Sequence, residues 1–271
     1  MNAMAPTAAT TTRISRRFAE LASAGDLGLI AYITAGDPSL DATREIVLAA
    51  AEAGADIIEL GVPFSDPLAD GPVIQRASER AVAKGTRLTD VLGLAGELRK
   101  ARPSSGLVLF SYLNPVVRMG MKTFCAKAAE VGADGVLLTD MIVEEAGEYL
   151  DAMRENKLAP VFLAAPTSPD ARLKAIAGAS QGFVYAISRV GITGTQQKVA
   201  GDAAELVARL RQFTKLPIAV GFGISNAEHV KAVCEFADAA IIGSALVALI
   251  EKSAPEEAPV AVGRFIAGLR S

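Results

Sequence analysis

Metal-binding side chains are scarce in this chain of 271 residues, which has one histidine and two cysteines. Cys125 and Cys234 lie far apart in sequence and His229 stands alone, which excludes a cysteine-built zinc site and a multi-histidine metal site. We therefore expect no metal site. The two isolated thiols also indicate a reducing environment, so the expected location is the cytoplasm.

Long apolar runs and charge of one sign are missing as well. The longest nearly apolar run, residues 239–250, is too short to cross a bilayer, and the first dozen residues lack the features of a signal peptide. With 27 basic and 30 acidic residues and no basic patch, the chain is not expected to bind nucleic acid. We expect residues 1–12 to form a disordered tail, with Met4 as the natural start, and residues 13–271 to form a single domain.

Apolar strand patterns alternate with helix patterns along the rest of the chain. Eight strands are predicted, each followed by at least one helix, and this alternation is typical of a parallel sheet. Eight units in a chain of this length predict a (β/α)8 TIM barrel, with extra helices at the N-terminus, after strand 2 and after strand 8. A doubly wound open sheet is the alternative fold, but it would carry a glycine fingerprint after the first strand, where only Gly36 stands.

The boundaries of these elements follow from hydrophobic periodicity and capping residues. The predicted strands are 27–35, the segment around Glu59, 107–112, 135–139, 160–164, 182–188, 217–220 and 239–242. The predicted helices are 14–24, one capped by Ser39, 73–83, 88–100, 122–131, one with Val143, Ala146, Leu150 and Met153 on its apolar face, one that starts at Ser168-Pro169-Asp170, one with Ser225 and Glu228 at capping-box spacing, 245–250 and 255–269.

A carboxylate interrupts the second predicted strand at Glu59. Strands of a parallel sheet are covered on both faces, so this carboxyl group has little access to water and burial raises its pKa. A carboxyl group that is protonated near neutral pH suits general acid–base catalysis, while a structural glutamate in a hidden ion pair is the alternative. The loop 61–72 brings a second carboxylate, Asp70, to the same end of the barrel, which favours catalysis.

Glycine clusters follow the seventh and eighth predicted strands, at residues 221–225 and 243–247. TIM barrels often bind phosphate between these two loops and the start of a short extra helix, where backbone N–H groups and the helix dipole attract an anion. The cluster that contains Gly221 and Gly223 lacks the third glycine of a dinucleotide motif. We therefore predict a phosphate site, although either cluster alone is also explained by a turn.

The segment 188–198 contains two glycines and several polar side chains. It is interpreted as a lid that closes over substrate and excludes water, with Gly194 as a further phosphate-facing N–H; an ordinary surface loop is the alternative. The residues alone thus predict a phosphate-binding barrel with two carboxylates at its mouth. Such a site suits proton transfer on a small phosphorylated substrate.

The motifs just described resemble those of the tryptophan synthase α subunit family, in the family's order over residues 14–269. The segments that carry the resemblance are 59–72, Tyr112-Leu113-Asn114-Pro115, Asp140 with Glu144-Glu145, 188–194, 221–225 and Gly243-Ser244. The resemblance implies a lyase of tryptophan biosynthesis that cleaves indole-3-glycerol phosphate, by a retro-aldol reaction, to indole and glyceraldehyde 3-phosphate.

The resemblance also implies roles for individual residues. Glu59 would be the acid–base group that protonates indole C3, and Asp70 would bind the indole N–H. The other substrate-binding residues that the resemblance implies are Tyr112, Tyr185, Thr193, Gly194, Gly223, Gly243 and Ser244. Two positions depart from the family pattern: Phe183 stands where some members have tyrosine, and Ile142 replaces a usual proline.

A partner subunit is the last implication of the resemblance. The family's α subunit docks on a β subunit that holds pyridoxal phosphate, in an α2β2 heterotetramer, and passes indole to it through a tunnel. Pro63, Asp66 and Asn114 would lie on or near this contact. The α chain itself would carry no cofactor.

Two other readings remain open. Other phosphate-binding barrels, such as sugar-phosphate isomerases, would share the glycine clusters but not the loop from Glu59 to Asp70. A non-catalytic barrel subunit that binds phosphate and activates a partner is a different class of function, and it would be favoured if either carboxylate were replaced. Both carboxylates are present.

Overall fold

The computed structural model describes residues 11–102, 104–187, 196–221 and 223–270, with only the backbone described at 196–200. The helices are α1 Arg13–Ala24, α2 Leu40–Glu52, α3 Pro72–Ala83, α4 Leu88–Ala101, α5 Leu113–Met119, α6 Met121–Glu130, α7 Gly147–Glu155, α8 Asp170–Ala179, α9 Gln196–Leu210, α10 Ala227–Cys234, α11 Ser244–Lys252 and α12 Ala258–Leu269. The strands are β1 Gly28–Thr34, β2 Ile57–Gly61, β3 Gly106–Ser111, β4 Gly135–Leu138, β5 Ala159–Val161, β6 Leu163–Ala164, β7 Val184–Ile187, β8 Ile218–Gly221 and β9 Ala239–Ile242. None of the described helices is long and apolar enough to cross a membrane.

All strands run parallel in one sheet, in the order β5-β4-β3-β2-β1-β9-β8-β7-β6. The two ends of this order, β5 and β6, are consecutive in the chain and are separated only by Phe162. The predicted strand 160–164 therefore occupies one barrel position in two short pieces, the first paired with β4 and the second with β7. This arrangement confirms the predicted TIM barrel.

The helices added to the basic barrel repeat lie where the sequence predicts them. Helix α1 precedes the first strand, α3 and α4 both follow β2, and α11 precedes α12 after the last strand. Ile14, Phe18 and Leu21 of α1 are buried at the N-terminal end of the barrel, in one cluster with inward-facing strand residues such as Ile57 and Val108. The larger core lies between the outer faces of the strands and the surrounding helices.

A carboxylate stands immediately before three of the strands, at Asp56 before β2, Asp134 before β4 and Asp238 before β9. Each accepts a hydrogen bond from the backbone N–H at the start of a neighbouring strand, at 2.6 Å, 3.0 Å and 2.7 Å respectively. The residues that donate these bonds are Leu29, Leu107 and Ile218. Each carboxylate also pairs with arginine, from the set Arg13, Arg17, Arg99, Arg211 and Arg270. The same device thus ties adjacent strands together at the base of the barrel.

Several element boundaries differ from the predictions. Thr12, expected in the disordered tail, is 7 % exposed and its hydroxyl caps α1, so we place it in the folded barrel; residues 1–10 lie outside the described residues. The cap of α10 is Asn226, not Ser225, because the Asn226 side chain accepts the N–H of His229 at 2.9 Å. Helix α5 was not predicted. A short 3₁₀ turn, Val143–Glu145, interrupts the helix expected from Val143 onward.

Candidate active site

Glu59 points into the barrel from β2, one layer above the buried Ile57. Its side chain is fully buried, and neither carboxylate oxygen has a hydrogen-bond partner among the described residues. Burial raises the pKa of Glu59 from 4.5 to about 8 because removal from water penalises the charged form. The predicted burial is confirmed, and the alternative of a hidden ion pair is wrong for the described part of the chain.

Asp70 lies at the end of the loop that follows β2, two residues before α3 begins. Its Oδ2 accepts a 3.1 Å hydrogen bond from the hydroxyl of Tyr112, which in turn accepts the N–H of Ala69 at 3.0 Å. The side-chain amide of Gln75 donates to the Asp70 carbonyl at 2.8 Å and so holds the loop from the other side. Burial raises the pKa of Asp70 to about 6, and the Tyr112 hydrogen bond partly offsets this shift.

The tyrosines Tyr32 and Tyr185 complete the wall around the two carboxyl groups. For both, burial raises the hydroxyl pKa well above 10, and the nearby charges of Glu59 and Asp70 raise it further. The Tyr32 hydroxyl lies where Gly61 has no side chain, since a Cβ there would be only 2.3 Å from the oxygen.

Tyr32 was missed in the sequence, although it pairs directly with Glu59 across β1 and β2. Both side chains carry a polar group within a mainly apolar strand, and this pattern could have identified Tyr32 from the sequence.

The predicted phosphate end of the site is formed by the start of α11 and the loop after β8. Gly223 and Gly243 each lie two residues beyond Gly221 and Ile241, the last residues that β8 and β9 pair with each other. Gly243 precedes α11 and Ser244 is its first residue, so the first N–H groups of this helix face the mouth without intrahelical acceptors. Gly223 adopts a left-handed φ of +51°, and a side chain there would meet nothing within 4 Å.

The predicted lid residues Thr193 and Gly194 lie outside the described residues. Of the predicted interface residues, Asp66 and Asn114 are exposed, whereas Pro63 is buried and supports its loop from within. Leu68, at 83 % exposure, and Val117, at 58 %, are exposed apolar residues of the same loop and of α5. Apolar surface therefore adjoins the two exposed residues of the predicted interface.

The two departures from the family pattern lie away from the two carboxyl groups and the tyrosines around them. Phe183 is fully buried at the base of the barrel, where its ring centre lies 5.9 Å from that of Phe18 in α1. Ile142 is 45 % exposed beyond the end of β4. Neither side chain belongs to the group formed by Glu59, Asp70 and their tyrosines.

A cleft of about 770 Å³ lies at the opposite end of the barrel. Arginines line it, but Arg17 and Arg270 are already paired there with the carboxylate of Asp56. Because the unpaired buried carboxyl group and the free helix start both lie at the C-terminal mouth, we place the candidate site at the mouth.

Comparison with known proteins identifies the family of the chain. The family model "Tryptophan synthase alpha chain" matches residues 18–267. The alpha chain of Burkholderia lata is 48 % identical over 259 residues, which cover 96 % of both chains. The chain belongs to the tryptophan synthase alpha chain family.

Solved structures of this family have the same fold. Tryptophan synthase subunit alpha from Legionella pneumophila has a TM-score of 0.87 at 35 % identity and covers 96 % of this chain and 97 % of its own. A tryptophan synthase structure from Mycobacterium tuberculosis has a TM-score of 0.87 at 36 % identity, with coverage of 96 % and 99 %. Membership of the tryptophan synthase alpha chain family confirms the predicted enzyme class, a carbon–carbon lyase of tryptophan biosynthesis, and supports cleavage of indole-3-glycerol phosphate as its reaction.

Proposed function

We propose that this chain cleaves indole-3-glycerol phosphate with Glu59 and Asp70 in opposite protonation states. The observation that carries the proposal is the buried, unpartnered carboxyl group of Glu59 beside the hydrogen-bonded Asp70. With pKa values of about 8 and about 6, Glu59 is a neutral acid and Asp70 a carboxylate at neutral pH. Two carboxyl groups whose environments separate their pKa values can serve as an acid and a charge-stabilising group in one site.

In the proposed reaction Glu59 donates a proton and is protonated again at the end of the cycle. Glu59 gives its proton to indole C3, and Asp70 accepts the hydrogen bond of the ring N–H as positive charge develops on the ring. The Glu59 carboxylate then takes the proton of the glycerol hydroxyl next to the ring. The carbon–carbon bond breaks, its electron pair returns to the indole, and the hydroxyl carbon becomes the aldehyde of glyceraldehyde 3-phosphate.

Binding of the substrate phosphate is proposed at the start of α11, with Gly223, Gly243, Ser244 and, from the sequence, Gly194. Tyr112 and Tyr185 would contact the substrate beside the carboxyl groups, and Thr193 would belong to the lid. The support is the position of Gly223 and Gly243, each two residues past the paired Gly221 and Ile241 of adjacent strands, beside a helix start.

Gly223→Asp is expected to raise KM for the phosphorylated substrate at least tenfold, because a carboxylate would stand where the phosphate binds. Gly223→Asn is the matched control: it has nearly the same shape and tolerates a left-handed φ equally well, but it carries no charge. Steady-state kinetics of indole release measure both variants. Equal KM values for the aspartate and asparagine variants would move the phosphate site elsewhere.

The pH dependence of kcat/KM is expected to be bell-shaped. Activity falls below about pH 6 as Asp70 becomes protonated, and it falls above about pH 8 as Glu59 loses the proton it must donate. The basic limb is the more diagnostic one, because a phosphate monoester also titrates near pH 6. Rates that stay constant from pH 7 to pH 10 would contradict a catalytic Glu59 with this pKa.

The proposed partner is a tryptophan synthase β subunit, in an α2β2 assembly in the cytoplasm, with pyridoxal phosphate held only by the β subunit. Asp66 and Asn114 would touch this partner, and the exposed Leu68 and Val117 supply the apolar surface that a stable contact needs. Pro63 would act indirectly, by supporting the loop that carries Asp66.

Release of indole from indole-3-glycerol phosphate by the purified chain, with and without a β subunit, tests the proposal. Slow release that the partner accelerates is the expected result. No release in either condition, from a folded chain that still binds the substrate, would favour the alternative of a non-catalytic phosphate-binding subunit that activates its partner.

A further inference from the structure

A chain of ion pairs links three segments around the mouth. Arg80 of α3 forms two hydrogen bonds to Asp37, in the turn after β1, at 2.9 Å and 2.7 Å. The same guanidinium reaches Glu251 of α11 at 2.7 Å, and Arg76 binds both oxygens of Glu251 at 2.9 Å and 2.8 Å. Asp37 is only 4 % exposed, so the chain is anchored in the body of the barrel at one end.

The two helices joined by this chain carry opposite ends of the proposed site. Helix α3 begins two residues after Asp70, and α11 begins at Ser244, at the proposed phosphate position. Their first turns lie close together, since a Cβ on Gly243 would be 3.9 Å from Ile74. Arg80 is the ninth residue of α3 and Glu251 the eighth of α11, so the ion pairs lie about 10–12 Å along each helix from its first residue.

Apolar packing between the two helices is narrow. Among the described residues, the buried cluster that they share consists of Tyr32, Ala77 and Val247, with Val73, Ile74 and Phe110 at its edge. Ala77 presents only a methyl group, so apolar contact at this point gives little restraint against sliding of one helix along the other. The ion pairs restrain this sliding, because a guanidinium fork accepts a carboxylate in few orientations.

We propose that Arg80 and Glu251 are positioning residues that hold the phosphate-binding start of α11 at a fixed distance from the carboxyl groups of Asp70 and Glu59. This inference rests on the proposed function. A substrate that is held by its phosphate at one end and attacked at its ring carbon at the other reacts only when that distance is correct. A misplacement of about 1 Å can lower a rate by about 100-fold.

The test uses Glu251→Gln and Glu251→Ala in the full chain, assayed with a β subunit. Glu251 is the appropriate position because Arg80 also holds the buried Asp37 and its replacement threatens folding. We expect kcat for indole release to fall about tenfold or more, with a larger loss for alanine than for glutamine, which keeps a hydrogen-bond acceptor. Binding of inorganic phosphate, measured by calorimetry, should stay within about twofold of wild type, because the N–H groups of α11 are unchanged.

Asp151→Asn is the matched control, since Asp151 forms an exposed ion pair with Arg154 on α7, away from the mouth. It should leave kcat unchanged. A lower Tm with an unchanged kcat in the Glu251 variants would show that the ion pairs contribute to stability only, and it would overturn the inference. A loss of phosphate binding in step with kcat would overturn it as well. Failure of the wild-type chain to release indole would instead contradict the proposed function, so the two failures are distinguishable.

Discussion

Glu59→Gln is expected to lower the rate of indole release by about 10²–10⁴-fold, or roughly 3–5 kcal/mol of transition-state stabilisation. Glutamine has nearly the same shape as glutamate but cannot give a proton to indole C3 or take one from the glycerol hydroxyl. The fold should persist, because no described residue donates a hydrogen bond to the Glu59 carboxyl group that the substitution would break.

The measurement is turnover of indole-3-glycerol phosphate under saturating substrate, together with circular dichroism and substrate binding. Binding should change little, since the phosphate contacts lie elsewhere in the site. The residual rate should also lose the basic limb near pH 8 that Glu59 imposes on the wild type. Turnover within a few-fold of wild type would remove Glu59 from the mechanism.

Asp134→Ala is expected to reduce the free energy of unfolding by about 3–5 kcal/mol, the range found when one member of a buried ion pair is removed. The Asp134 side chain is 2 % exposed and joins Arg13, Arg99 and the N–H of Leu107 at the base of the barrel. Its loss leaves the Arg99 guanidinium, which is 12 % exposed, without its carboxylate. Chemical denaturation of the purified chain measures the effect, and Tm should fall by roughly 10 °C.

A second carboxylate in the same role provides the control for this effect. Asp238 also binds a strand N–H and an arginine, but its side chain is 38 % exposed, so water replaces the lost contacts more easily. Asp238→Ala should therefore cost about 1 kcal/mol. Equal losses for the two variants would show that burial does not set the strength of these contacts.

Local sequence patterns predict two parts of the candidate site. Glu59 stands out because a carboxylate inside an apolar strand is rare, and its burial is confirmed. The proposed phosphate loops stand out because glycines follow two consecutive strands. The hydrogen bond from Tyr112 to Asp70 joins residues 42 positions apart, and Tyr32 meets Glu59 only through the register of β1 and β2. Such contacts depend on how the strands pair, which no local pattern specifies.

Errors in the fold also have local physical reasons. Helix α5 was not predicted, although its proline is compatible with a helix: Pro115 is the third residue, where the backbone N–H has no intrahelical acceptor to lose. At α10 two good capping residues stand side by side, and Asn226 takes the position that Ser225 was expected to fill. Barrel closure through two short pieces, β5 and β6, is a property of the whole sheet and has no signal in the residues 159–164.

The buried, unpartnered carboxyl group of Glu59 serves the proposed activity but makes the stability of the fold depend on pH. Because its pKa rises from 4.5 unfolded to about 8 folded, the folded state binds the proton more tightly, and stability is lost as pH rises through this interval. At alkaline pH the native protein must hold a buried negative charge that the unfolded chain leaves in water. An uncharged residue at position 59 would therefore be expected to make the fold more stable at alkaline pH and to remove the proposed acid–base group.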